Sequence, residues 1–381
     1  MRGAISQSKR ACIIRDVAVI LILGNLLYFY FPIRPIIWRV SFLALAFVAF
    51  FSKDNRPTNI EKIILAFMAF NLLHFLVSYI WLTPTTTQLG NILYSMSAFL
   101  LFPYLGRRGV LSSAFFSIAL ILLVLAGVAY YYHAQAIAAV ILIDFDEDRF
   151  TNNASVIFLF LLPSLFLVKN NVLRYVVLAV CVFFIITSVK RGNILAAIIP
   201  ITLLIWYSLR NSRGSIWKTL FVMAAIVALY YLGREWIVGN AYFFDRLDAT
   251  LEGSTSNRDL IYASAWNTWT HSDNIITILF GYGFDGTIHH LINGYRAHND
   301  WLEILVDYGL VGVVFYLSIF IAFYKTIRKQ SDLQLKIVLI AAVSIWFMKT
   351  LYSMGFSDEY LALIAMPIGV AMTAFRPTKS V

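Results

Sequence analysis

Charge is scarce in this chain. Of its 381 residues only 13% are charged, 60% are hydrophobic, and the mean hydropathy is +0.77. A water-facing globular surface needs far more charge, so a soluble domain is excluded and a polytopic membrane protein is indicated. Carboxylates are scarcer still, 20 against 30 Lys and Arg. The resulting formal charge of +10 could suit nucleic acid. Its distribution has a membrane explanation instead, so no nucleic-acid partner is expected. Cysteine is limited to Cys12 and Cys181, both in or beside apolar runs. That excludes a disulfide framework and leaves the redox compartment open. Solenoid repeats, low-complexity tracts and flexible linkers are absent, so 1–381 reads as one integral membrane domain. The first apolar run lacks a small-residue cleavage signature before the next charged loop. It is expected to be a retained helix and not a signal peptide.

What the chain has in quantity is long apolar runs. They fall near 12–32, 35–52, 60–82, 90–105, 110–133, 153–168, 172–189, 192–209, 216–233, 308–324, 335–352 and 359–375. Most are long enough to cross a hydrocarbon core of ~30 Å, which predicts an all-α protein of about twelve transmembrane helices. Aromatics, at 16%, suit the interfacial belts that Trp and Tyr form. With an inside N-terminus, the inner segments collect about 20 Lys/Arg and 4 Asp/Glu, the outer ones about 10 and 16. Both termini are therefore expected on the cytoplasmic side. The few outer cations, among them Arg39, Lys190, Arg191, Arg258, Arg296 and Lys349, run against this bias and invite a functional reading. Outer segments are short except for one large loop, about 233–301, expected to contain short helices. Chemistry is expected on the outer face.

The end of that loop is the richest stretch: Arg296-Ala297-His298-Asn299-Asp300-Trp301-Leu302, running on through Glu303 and Asp307 to Gly309 and Gly312. From Ala297 it reads as a helix with His298, Trp301, Leu302 and Leu305 on one face. Asp300, Glu303 and Asp307 form a second stripe. In the first turn the helix dipole disfavours imidazolium, so His298 is expected to stay neutral and serve as a general base. The plainer alternative is a satisfied loop histidine. Lys190-Arg191-Gly192 sits at the outer boundary, where Arg can fork onto phosphate or both cations can snorkel to headgroups. Ser256-Asn257-Arg258-Asp259 has capping-box-like spacing and opens a helix with Arg258, Tyr262, Ala265 and Trp269 on one face. That face suits either an anion grip or the membrane surface.

Leu279-Phe280-Gly281-Tyr282-Gly283 reads as a tight turn returning the loop over the membrane, since no strand precedes it. His289, His290 and His298 lack metal spacing, so no metal is expected. Asn71 and His74 are expected to satisfy interhelical hydrogen bonds. Asp144, Asp146, Glu147 and Asp148 form an acidic outer loop.

The Arg296–Leu302 run, with Gly309 and Gly312 opening a transmembrane helix, resembles the His-Asn signature of the O-antigen polymerase and O-antigen ligase superfamily. Lys190-Arg191-Gly192, Arg258 in the large outer loop and the Phe280–Gly283 turn match in order, and Arg149–Asn153 resembles a polar, Asn-containing segment of that family. The resemblance implies a GT-C-like membrane glycosyltransferase of the bacterial inner membrane, with its active site on the periplasmic face and no cofactor. Its donor and acceptor would be undecaprenyl-diphosphate-linked oligosaccharides, with membrane lipids and a chain-length regulator as further partners.

Carried over by residue, Arg191 and Arg258 would bind the diphosphate and His298 would be the base. Asn299 and Arg296 would position groups around it, and Lys190 stands where members often have Ser. The expected activity is polymerisation of a surface polysaccharide, metal-independent and inverting, in lipopolysaccharide biosynthesis. The acidic stripe, suited to sugar hydroxyls, tips the balance toward polymerase over ligation to lipid A–core. A third reading, a transporter of the same lipid-linked sugars, would place polar groups at the bilayer midplane. Here they cluster at the outer edge.

Overall fold

The computed structural model describes residues 2–141, 152–188, 190–211, 258–291 and 294–372. Every regular element among them is helical. In chain order these are α1 (Arg2–Leu26), α2 (Pro35–Phe50), α3 (Asn59–Ser78), α4 (Thr86–Arg107), α5 (Ser113–Ile141), α6 (Ser155–Leu161), α7 (Asn171–Thr187) and α8 (Arg191–Asn211). Three short helices follow, α9 (Arg258–Thr270), α10 (Ile275–Phe280) and α11 (Gly286–His290). The chain then continues through α12 (Asp300–Lys329), α13 (Leu333–Tyr352) and α14 (Ala362–Ala371).

Among the described residues six helices, α3, α4, α5, α8, α12 and α13, are long and apolar enough to cross a membrane. The runs expected at 35–52, 153–168, 172–189 and 359–375 form shorter apolar helical stretches. Pro163 explains one of these: after Leu161 the α-helix tightens into a 3₁₀ stretch, Leu162–Leu167. The run at 216–233 lies outside the described residues, as do the acidic loop 144–148 and Ser256. The apolar helices make this a multi-pass membrane protein.

The most enclosed span is α4, whose residues from Tyr94 through Gly106 are buried. The last helix, α14, crosses it closely: a Cβ on Gly369 would stand 2.5 Å from the Phe102 carbonyl. At the end assigned to the inner side, Thr58 and Glu61 form a capping box that starts α3. Arg107 forks onto both Glu61 oxygens at 2.7 Å. Arg107 is thus a structural clasp.

Two glycines set the frame of the outer loop. Gly309 interrupts α12 with φ +64, and the kink leaves the Val306 and Asp307 carbonyls without their usual helical donors. Tyr282 N–H (2.8 Å) and Gly283 N–H (3.1 Å) donate to them. The contact is backbone on backbone. A Cβ on Gly281 would lie 2.4 Å from the Asp307 carbonyl, and one on Gly309 would lie 2.4 Å from that of Leu279. The Phe280–Gly283 turn therefore docks into a helix kink, which holds this part of the chain against α12.

His74 pairs with the Phe280 carbonyl at 2.8 Å, an interhelical bond from α3 to the end of the short helix α10. One expectation changes here: Asn71 donates to Phe67 of its own helix at 2.8 Å.

Candidate active site

The site is assembled where the starts of α8 and α12 and the end of α13 meet α9. α12 begins at Asp300, three residues later than the expected Ala297, because Asn299 is its N-cap. The Asn299 carboxamide oxygen accepts from Trp301 N–H (3.0 Å) and Leu302 N–H (3.2 Å). Its Nδ2 donates to the Leu351 carbonyl at 3.1 Å. Asn299 thus fixes where the helix starts and fastens it to the end of α13. His298 precedes the cap, exposed, with φ +51 in the left-handed region. Non-glycine residues rarely adopt that conformation, and they keep it only when their surroundings enforce it.

The surroundings do so here. Ala297 N–H donates to Glu303 at 2.7 Å, and Arg296 bridges Glu303 (3.0 Å) and Asp285 (2.7 Å). Asp285 also accepts from the Thr85 hydroxyl at 2.7 Å. The turn that presents His298 is clamped on one side by Arg296 and on the other by Asn299.

The acidic stripe does not face solvent. Asp300, Glu303 and Asp307 are each 0% exposed. Asp300 accepts from Tyr316 (2.6 Å) and from the Gly355 (2.7 Å) and Phe356 (3.0 Å) amides. Glu303 also accepts from the Thr287 hydroxyl (2.9 Å), and Asp307 from the Thr287 amide (2.7 Å). Buried carboxylates need such partners, and these acids serve the fold. They are not placed to receive sugar hydroxyls.

Arg258 opens α9, and its Nη1 donates to the Tyr352 carbonyl at 2.8 Å. The adjoining face of α9 packs on protein and not on the membrane: Ala265 is buried against Leu291, Ala297 and Val306. Arg191 opens α8, and its neighbour Gly192 lies against the Tyr352 ring, where a Cβ would be 3.3 Å away. Lys190 Nζ donates to Asn153 Oδ1 at 2.6 Å. Asn152 is structural, donating to the Tyr131 carbonyl at 2.9 Å. Arg149, Phe150 and Thr151 lie outside the described residues.

The end of α13 is the hub. Its last carbonyls, free of helical donors, accept from Asn299 and Arg258, so the turn that carries His298 and the Arg258 guanidinium meet over one helix terminus.

Electrostatics follow from this crowding. Partial desolvation, then the Arg258, Lys190 and Arg296 charges, hold the His298 imidazole below its ordinary value of 6.5. The sequence pointed to the helix dipole for this effect; the structure adds desolvation and three neighbouring cations. Burial and the Lys349 ammonium lower Lys190 to about 8, with Asp358 opposing and Arg258 adding to the push.

The structure therefore brings Lys190, Arg258, His298 and Asn299 around the α13 terminus, with Arg191 beginning the helix beside it. Arg296 stands behind the turn as a clamp. Sequence reasoning overlooked Asn153 as the partner of Lys190, although it lies in the Asn-containing segment. It also overlooked the α13 terminus, whose contribution is backbone carbonyls that no residue identity signals.

A group of cations around an imidazole held below its ordinary value, at the ends of apolar helices, defines a class: a membrane protein with a basic cluster able to meet an anionic group. Residues 176–317 match the family model described as O-Antigen ligase, which supports membership of the O-antigen ligase and polymerase superfamily. The matched segment includes all six candidate site residues. No curated protein matches the chain. The family supports ligase- or polymerase-type activity in general, by glycosyltransferase-like enzymes of O-antigen and lipopolysaccharide assembly acting on lipid-linked glycans.

Proposed function

We propose that this protein is a surface-polysaccharide polymerase of the inner membrane. It moves a growing glycan from undecaprenyl diphosphate onto the non-reducing end of an incoming lipid-linked repeat. The observation that carries the reading is a depressed, exposed histidine held beside Arg258 and Lys190. A sugar C1 bonded to diphosphate already has a good leaving group. What remains is to neutralise the departing charge and to activate the attacking hydroxyl. Arg191, Arg258 and Lys190 serve the first need, and no metal is required for it. His298 serves the second. Attack on C1 opposite the departing diphosphate inverts that carbon. Asn299 and Arg296 act by fixing the turn that carries His298.

The acidic stripe does not favour polymerase over ligase, since its carboxylates are spent inside the protein. The glycan products of a deletion strain distinguish the two.

The test has two parts. Purified protein with a lipid-diphosphate-linked repeat and EDTA should make long products, and His298→Ala should make none while remaining folded. Positioned base catalysis supplies about 10²–10⁴-fold. Near-normal turnover by His298→Ala would remove the base assignment. In a deletion strain, single repeats left on lipid A are expected. Bare core with intact chains on the carrier would make the protein a ligase.

A further inference from the structure

Away from the site just described, a groove of about 390 Å³ runs between α1 and the start of α5. Because α5 begins a few residues after Arg107, the groove lies at the same end of the bundle as the Arg107–Glu61 clasp. Each wall is one helical face: Asp16, Ile20 and Leu23 on α1, and Ala114, Ile118 and Leu122 on α5. From Arg15 to Leu23 the helix rises ~12 Å, at about 1.5 Å per residue. That is close to the depth of one leaflet, half of a ~30 Å hydrocarbon core.

Only one end of the groove is charged, and it is built with care for geometry. Arg15 Nη1 donates to the Val110 carbonyl at 2.9 Å and Nε donates to Asp16 Oδ1 at 2.8 Å. Nη2 is 2.7 Å from the same carboxylate oxygen. The guanidinium also stands 5.1 Å from the centre of the Phe115 ring, which lines the groove. A guanidinium has five N–H groups, so one on each Nη is left among the described residues. Asp16 receives these bonds through Oδ1, which leaves Oδ2, and its side chain is 57% exposed.

In a bilayer the apolar walls select nothing, since lipid tails are as apolar as they are. A chain fills the groove because an empty one forfeits dispersion contacts. Selection falls to the charged end. Spare guanidinium N–H groups suit a phosphate, and a spare carboxylate oxygen beside them suits an ammonium with N–H donors. One headgroup that carries both charges meets both at once.

We propose that the groove between α1 and α5 holds one phospholipid with a zwitterionic primary-amine headgroup. Its phosphate lies on Arg15, its ammonium on Asp16, and an acyl chain runs between Ile20 and Ile118 toward Leu23 and Leu122. The lipid joins α1 to α5 and is no part of the reaction at His298.

The test is native mass spectrometry of the purified full chain in detergent. It is offered phosphatidylethanolamine, phosphatidylcholine or phosphatidylglycerol with the same acyl chains. Wild type should retain one phosphatidylethanolamine several-fold better than either of the others, because the quaternary amine has no N–H and the glycerol headgroup has no cation. Asp16→Asn should erase the preference over phosphatidylglycerol. Ala114→Trp, which fills the groove, should lose the retained lipid whatever its headgroup. Asp16 and Ala114 are both exposed, so neither change threatens the fold as a core substitution would. Equal retention of the three lipids by wild type would overturn the proposal. So would an ethanolamine preference that survives both substitutions, since the lipid would then sit elsewhere. A wild-type dimer that Ala114→Trp dissociates, with no lipid retained, would assign the groove to a second copy of the chain instead.

Discussion

At the scale of single residues, His298 is unusual in both backbone and charge. Its left-handed conformation costs about 1–2 kcal/mol for a residue with a Cβ, and the clamp of Arg296, Glu303 and Asn299 sustains it. Partial desolvation and three cations keep its imidazole below the ordinary histidine value. The neutral base is therefore fully present at neutral pH and is lost only as pH falls through the depressed value. The acid limb of kcat/KM is expected below pH 6.5 on this account. Arg258→Gln removes the strongest-acting of the three cations. It should move that limb to higher pH while also raising KM for the donor, and a limb that stays put would separate the two residues electrostatically. Arg296 predicts a different phenotype. Its removal leaves Asp285 and Glu303 buried without their cation, at a cost of about 3 kcal/mol, the low end of the range because Arg296 is partly solvated. Thermal unfolding in detergent should show Arg296→Ala destabilised, and Arg296→Lys only partly restored, since an ammonium cannot fork onto two acids.

At the scale of elements, the kink in α12 and the turn that fills it are one construction. Gly309 opens the helix, and the 279–283 turn satisfies the carbonyls that the opening frees. Both strain and space then forbid a side chain at Gly309. Gly109 offers the control, because it has a similar φ of +71 but nothing within 4 Å of where a methyl group would stand. Gly109→Ala should cost about 1 kcal/mol, the conformational contribution alone. Gly309→Ala should add overpacking of roughly 1–3 kcal/mol and loosen the outer loop. Thermal unfolding of both variants gives the difference, and limited proteolysis within the loop gives its location. Equal shifts for the two would mean that the turn does not depend on backbone contact with the kink.

At the scale of the whole molecule, apolar runs made the helices legible, since a bilayer demands length and hydrophobicity of every crossing segment. The His-Asn element was legible because polar groups stand out in such a chain. Burial was not. Asp300, Glu303 and Asp307 have the spacing of a sugar-binding stripe, and only their partners, Tyr316, Thr287 and the Gly355 and Phe356 amides, reveal their structural duty. Those partners come from distant parts of the chain, which helical periodicity does not report. The α13 terminus escaped for a related reason, because it contributes carbonyls. Orientation rests on charge, and it can be tested directly. The positive-inside pattern places the α12–α13 hairpin in the cytoplasm and α9–α11 in the periplasm. Asp273 and Ser331 are exposed, one between α9 and α10 and the other in the hairpin. In a chain with Cys12 and Cys181 replaced by serine, a membrane-impermeant maleimide should label Asp273→Cys once the outer membrane is opened. Ser331→Cys should react only after the inner membrane is breached. The reverse pattern would put His298 in the cytoplasm, where a periplasmic polymerase or ligase could not work.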